Sequence, residues 1–511
     1  ILRPLIGPVC VTKSIPVLSS FIEGDKPLDF YVGKTDRLAI VIIVCFVFGF
    51  AVIDPLKRLL HSFFQEKDSA YNLAVFRIVF FLFVLLRYDK EKILWFSQLP
   101  KELMFPPLGM KTFLSIVPVN AQMAGPMYDL FAVSCIFAMV GLWPRISCWL
   151  AAILGIYVLG IPQFFGKTDH YHHLIWFMMI LGTSPCADVL SVPAFIKSLR
   201  QQSQISPERS RQYAIPLRLI WILMGIIYYF PGFWKFAKSQ WHWFLSNNLQ
   251  YQMYAKWFEL SGWTPVFRID QHPWLCQLVG GATIIFELLF IVVILIPSIR
   301  WLAVVSGLLF HNLTNAFMGI LFLPLQICYV SFIDWERVFG WLKSRIVGPQ
   351  DIVRKMEKTN SSTATAVSLK GITVVGTLLI GLSTFFGLTH QIKAWPFACY
   401  PTFAGSLERP EIQAITFVGV RNGQEEPIDV QNVKVWMAPQ RYAGLIERIL
   451  SHKNQERRFQ RLQKFMASMK GLGVDISSYQ SVRFYKSLRS TIPEKYKEEA
   501  LSQELLCEVK L

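Results

Sequence analysis

The stretch "LVGGATIIFELLFIVVILI", Leu278 to Ile296, carries one charge in nineteen residues. As a helix it is long enough to cross roughly 30 Å of hydrocarbon. A second run, "LAIVIIVCFVFGFAVI" (Leu38 to Ile53), carries no charge. The chain has 511 residues, 53% apolar and 17% charged, whereas a soluble domain is charged at about a quarter of its positions. These observations predict an all-α polytopic membrane protein of about ten transmembrane helices. The apolar runs place them near 38–54, 71–88, 124–143, 147–164, 172–190, 214–231, 276–297, 300–316, 317–334 and 370–389. The eighth and ninth are readable as one element interrupted at "HNLTNAFMG".

Outward from these runs the patterns change. "LKRLLHSFF" (Leu56 to Phe64) repeats apolar residues at 56, 59, 60, 63 and 64, a helical stripe expected to lie on the membrane surface. "TNSSTATA" (359–366) reads as a linker. Beyond it, "EIQAITFVGVRNGQEEPIDV" predicts two strands around an Asn422-Gly423 turn. "APQRYAGLIERIL" and "RRFQRLQKFMASMK" predict helices, the second with Phe459, Leu462, Phe465, Met466 and Met469 on one face. The expected organisation is an N-terminal segment (1–69) with one membrane helix and the interfacial helix, a transmembrane domain (70–405), and a small C-terminal α+β extramembrane domain (406–511). Ile1 in place of Met leads us to expect a longer natural N-terminus. The first long apolar run starts about 40 residues in, so insertion is expected to use an internal helix rather than a signal peptide.

The formal net charge is +17. The basic residues flank apolar segments, where they meet anionic headgroups. No nucleic-acid motif accompanies them, so the expected partner is membrane lipid and not nucleic acid. Lys/Arg counts in alternating loops are nearly equal and leave the orientation open. Nine cysteines, with no CxxC, do not suggest a disulfide framework.

Ionisable side chains at membrane depth are expensive and are functional candidates. Here they are Arg77, Lys167, Asp169, His170, His172, His173, Lys235, Lys238, His242, Glu287 and His311. In "YYFPGFWKFAKSQWHWF" (Tyr228 to Phe244), Pro231 and Gly232 are expected to break the sixth helix, with Lys235 at the break. Burial disfavours the charged form of an amine, and a neutral amine is a proton acceptor. The alternative is that both lysines snorkel to headgroups beside an aromatic belt, Lys238 more readily. In "GKTDHYHHLIWF" (Gly166 to Phe177), Asp169 is expected to cap the fifth helix, with His170 and His173 on one face. No motif for a metal accompanies them, and no metal is expected. In "LLFHNLTNAFMGILFLP", His311, Asn312, Thr314 and Asn315 either hold a helix break or line a pocket. Glu287 has Arg77, Lys235 and His311 as possible partners.

These segments resemble those of the vitamin K-dependent γ-glutamyl carboxylases and the bacterial horizontally transferred transmembrane domain proteins. "PGFWKFAKSQW" resembles the segment in which a glycine precedes the catalytic-base lysine by three, matching Gly232, Lys235 and Trp241. "KTDHYHHLIWFMMILGTSPCADVLSV" is similar to a segment whose histidine falls on His170, with His173 the alternative. "FHNLTNAFMGILFLP" keeps the spacing of His311 to Pro324. "YNLAVFRIVFFLF" places Arg77 as in the family's first helix, and "WPFACYPTF" is similar to the ending of bacterial relatives. The resemblance covers roughly 70–405. It implies a carboxylase and quinol epoxidase of the carbon–carbon lyase type. A reduced vitamin K or related quinol is the implied cofactor, and a glutamate-containing protein or peptide the implied substrate. Lys235 and His170 are the implied catalytic residues. His311, Asn312, His173, Trp234, Trp241, Arg77 and Glu287 would shape the pocket. Two other readings compete with it: a non-catalytic membrane subunit or lipid/quinone binder that docks a protein partner, and a transporter built on broken helices.

Overall fold

The computed structural model describes residues 54–511 except 170, 202–207, 347–368, 399–402 and 496–497. The apolar run Leu38–Ile53, His170, the linker at 359–366 and part of "WPFACYPTF" therefore lie outside the described residues. The chain divides into one unit ending at Ser62 and another from Phe63 to Leu511. Residues 54–65, the expected interfacial segment, are helical.

The second unit carries nine helices that matter here: α1 (Ala70–Arg87), α2 (Ala121–Val140), α3 (Pro144–Val158), α4 (His172–Gly182), α5 (Arg211–Ser239), α6 (Asn248–Glu259), α7 (Pro273–Val293), α8 (Arg300–Met318) and α9 (Lys370–Leu388). All but α4 and α6 are long and apolar enough to cross a membrane, α3 when taken with the 3-10 turn that carries it on to Phe164, making seven such spans among the described residues. Local chemistry sets several of their ends. The Ser69 hydroxyl accepts from the Tyr71 N–H to open α1, and the Asn120 side chain accepts from the Met123 N–H to open α2. Gly141, at φ +74°, ends α2, and Pro144 opens α3.

The bundle is apolar on its outside. On α7, Leu278, Ile285, Leu289 and Val292 are exposed, whereas Gly280, Ile284, Glu287 and Phe290 are buried. The one charge of the opening stretch thus faces inward and the greasy face outward, the reverse of a helix on a soluble protein.

Three expectations about helices need correction. The run at 172–190 is helical only over the eleven residues of α4, followed by turns, and is too short to span. The run at 317–334 holds a four-residue helix (Leu323–Gln326) and a 3-10 stretch (Ile327–Phe332), because Gly319 at φ +62° ends α8 and Pro324 follows. Pro231 and Gly232 do not break α5, which runs on to Ser239 and stops where Gln240 adopts φ +51°. A proline inside such a helix costs one backbone bond, which neighbouring packing can tolerate.

Glycine lets the helices approach α5. A Cβ at Gly232 would lie 2.8 Å from Glu287 Cβ, and one at Gly225 would lie 2.8 Å from the Ile291 side chain. On α9, Gly387 accommodates the Phe230 ring and Gly376 the Leu219 side chain. On α5, residues 225, 228, 232 and 235 fall on one helical face, which is the face turned to α7.

The C-terminal residues form an antiparallel sheet of β1 (Glu411–Arg421), β2 (Gln424–Pro427), β3 (Ser481–Ser490) and β4 (Ser502–Lys510), in the order β2-β1-β3-β4. Between β2 and β3 come α10 (Pro439–Leu450) and α11 (Gln455–Lys470). The hairpin closes as expected, with Arg421 opposite Gln424 and positive φ at Asn422 and Gly423. Tyr442 of α10 packs on Phe417 of β1 and on Phe465 of α11, joining helices to sheet. Leu462, Phe465, Met466 and Met469 are buried, while Phe459 is partly exposed. Strands β3 and β4 are additional to the sequence expectation.

Candidate functional site

A cavity of about 320 Å³ lies among α5, α6, α7 and α8. Its walls are mostly apolar, with Phe286, Phe310, Phe317, Trp243, Met253 and Phe403 among them. The lysine, carboxylate and imidazoles among its lining residues come from four separate segments: Lys235, Glu287, His311 and His173. All four are at most 4% exposed.

Lys235 Nζ donates to Glu287 Oε1 at 2.5 Å. This decides among the three possible partners of Glu287. The other carboxylate oxygen, Oε2, is buried with no hydrogen-bond partner among the described residues. Lys235 Nζ also lies 5.3 Å from the centre of the Trp243 ring, close enough for a cation–π contact. The pair is net neutral whether its proton sits on nitrogen or on oxygen.

His311 belongs to a hydrogen-bonded chain. Tyr228 Oη lies 2.5 Å from His311 Nε2 and 2.8 Å from Tyr329 Oη. Gly307 makes room for Tyr329, whose hydroxyl would be 1.8 Å from a Cβ there. In the tautomer in which His311 Nε2 accepts, the ring proton is on Nδ1, which is buried without a partner. His173 Nε2 lies 3.0 Å from the carbonyl oxygen of Pro324, which also lines the cavity. Thr314 contributes to the wall as well, so two members of the polar cluster of α8, His311 and Thr314, line a pocket, while Asn312 and Asn315 are exposed.

The other sequence candidates lie elsewhere. Asn312 is exposed and donates back to the Leu308 carbonyl, because it follows His311 by one position and so turns to another side of α8. Trp241 is 61% exposed, and Trp234 donates its Nε1–H to Gly387 on α9. Both positions follow from α5 continuing past Gly232. Trp243 is the tryptophan that faces Lys235. Arg77 is fully buried away from the cavity lining, where it donates to the carbonyls of Cys186 (2.6 Å) and Leu190 (2.5 Å). Asp169 does not cap α4, which has no side-chain cap; its carboxylate pairs with Arg441 of α10. Lys167 does not line the cavity; burial lowers its pKa from the ordinary lysine value, with Asp169 and Glu259 opposing. Lys238 is exposed.

Sequence reasoning missed Tyr228, Trp243, Tyr329 and Phe403. The first two had a signal, since Tyr228 precedes Lys235 by seven residues, two helical turns on the same face. Tyr329 and Phe403 had none, being brought in by long-range packing. Comparison with family models, curated proteins and solved structures gives no match.

Proposed function

We propose that this chain is an integral, multi-pass membrane enzyme of the γ-glutamyl carboxylase type. It would use a reduced quinone, oxygen and carbon dioxide to carboxylate glutamyl side chains. The carrying observation is the Lys235–Glu287 pair, buried in an apolar cavity with one carboxylate oxygen and one imidazole nitrogen left over. Such a cavity suits an aromatic ring with polar oxygens at its edge: Phe286 and Phe310 supply apolar walls, while Glu287 Oε2 and His311 Nδ1 remain to be satisfied.

When bound, a quinol supplies with oxygen the strong base that removes a γ-proton from glutamate, after which carbon dioxide adds and the quinone leaves as its epoxide. The chain's own part begins with a proton. With the shared proton on Glu287, the Lys235 amine would be placed to accept a hydroxyl proton from a bound quinol, one O–H bond breaking as one N–H bond forms. The ammonium so formed would be held by Glu287 and the Trp243 ring. His311, held by Tyr228, and His173, held by Pro324, would orient the reactants. The apolar walls would keep water from a strongly basic intermediate.

The test is incubation of the protein in nanodiscs with vitamin K hydroquinone, labelled bicarbonate and a glutamyl peptide. The expected result is epoxide and labelled peptide from the wild type, with at least about a hundredfold loss in Lys235→Ala, the usual scale for a general base. Epoxide no higher than in that variant would reject the reading. The second reading, a quinone or lipid binder without chemistry, is favoured by the same cavity with Lys235 already engaged. Saturable quenching of tryptophan fluorescence by the quinol, with no epoxide, would select it.

A further inference from the structure

The tail domain meets the bundle at a charged joint that leads to the cavity wall. Arg441 lies in the first turn of α10 and is 4% exposed. Its guanidinium donates to the carbonyls of Pro162 and Phe165 (the latter at 3.2 Å) and pairs with the Asp169 carboxylate. It also lies 5.7 Å from the centre of the Phe96 ring. Next to it, Gln440 donates to Glu259 at the end of α6 at 3.0 Å. The receiving loop is shaped for this contact: Gly166 has φ +76°, and a Cβ there would fall 2.2 Å from the Arg441 carbonyl oxygen.

Three residues beyond Asp169 the chain enters α4, the short helix that carries His173. Its N-cap residue, Tyr171, makes no side-chain capping bond, so its first turn has no local stop of its own. The loop before it is held from within by the Gln163 side chain, which accepts from the Asp169 N–H at 2.6 Å, and from outside by Arg441. An arginine this buried, with three acceptors, differs from a surface ion pair. Removing it takes the guanidinium from the Phe165 carbonyl and from the Asp169 carboxylate, which is 35% exposed, while the Pro162 carbonyl keeps the Phe165 N–H.

We infer that the tail domain clamps the cavity, with Arg441 a positioning residue that fixes the 162–169 loop and, through it, the His173 wall. Arg441 does not line the cavity. The clamp rests on the proposed activity only for its kinetic consequence; the mechanical coupling stands apart from it.

Hydrogen–deuterium exchange on the full chain in nanodiscs separates a clamp from a simple staple. In Arg441→Ala, and independently in Gly166→Ala, the amides of 163–169 and 172–176 should exchange at least about tenfold faster, while those of α5 keep wild-type protection. Arg441→Lys, with one point charge in place of a fork, should fall between. Faster exchange in the tail alone, with 163–176 unchanged, overturns the clamp. In the epoxidation assay, Arg441→Ala should lower kcat at nearly unchanged KM for the quinol, and Arg441→Lys should recover part of it. If the wild type makes no epoxide, the proposed function fails while the exchange result still decides the clamp.

Discussion

Lys235, an amine among aromatic rings and one of three possible partners of Glu287, has that carboxylate within hydrogen-bond reach. Two buried charges that find each other need not stabilise a protein, because both were taken from water; removing one of them is costly all the same. Lys235→Met alone should therefore destabilise by about 3–5 kcal/mol, and Glu287→Leu alone by a similar amount, whereas the double variant should recover most of the loss. Thermal unfolding in detergent of the four proteins in this cycle measures it. Equal additivity of the two single losses would mean that the residues do not interact. The partnership spans 52 positions, and nothing near Glu287 in the sequence names Lys235 over Arg77 or His311.

At the scale of the element, α5 shows how a correct apolar run came with a wrong end. Its start and its apolar character were legible. Its C-terminal turns were not, because proline and glycine together read as a stop. Gly232 is there for another reason: it allows α7 to come close enough for Glu287 to reach Lys235. Gly232→Ala should cost about 1–3 kcal/mol, as overpacking does in a close-packed interior. It should also weaken the ion pair, read as a smaller loss of stability when Lys235→Met is added to it. The same logic shortens the expected fifth and ninth helices. Both runs are apolar enough to span, but Gly319, Pro324 and the turns after Gly182 end them. Hydropathy measures burial in anything apolar, and protein interior serves as well as lipid.

Across the whole molecule, charge networks tie distant segments together. Glu66 bonds Arg218 (2.7 Å) and Arg300 (2.8 Å), two arginines that also lie over the Trp221 ring. Burial alone would raise its pKa, but the hydrogen bond from Arg300 and the charges of Arg218 and Arg300 hold it below the ordinary glutamate value. A depressed carboxylate contributes stability above its unfolded value of about 4.3 and loses it as pH falls through the folded one. Neighbouring Asp68 runs the other way, since burial raises its pKa despite Arg218. Glu66→Gln should therefore flatten the acid limb of the stability curve below about pH 4.3, measured by thermal unfolding against pH. An acid limb as steep as the wild type's would show that this joint does not govern acid stability.

The sequence by itself determined that this chain forms long apolar helices with an α+β tail, because run length, turn residues and the Asn-Gly hairpin act locally and need no partner. It also determined which side chains were costly enough to matter, since a charge in an apolar run is conspicuous wherever it ends up. Which of them meet was decided only by tertiary structure. Lys235, Glu287, His311 and His173 converge through glycine contacts and helix ends set by residues far away in the chain. Arg77, Asn312, Trp234 and Trp241 are turned elsewhere by the same packing. A buried charge is satisfied by whatever the fold brings within about 3 Å, and that distance is a property of the assembled molecule.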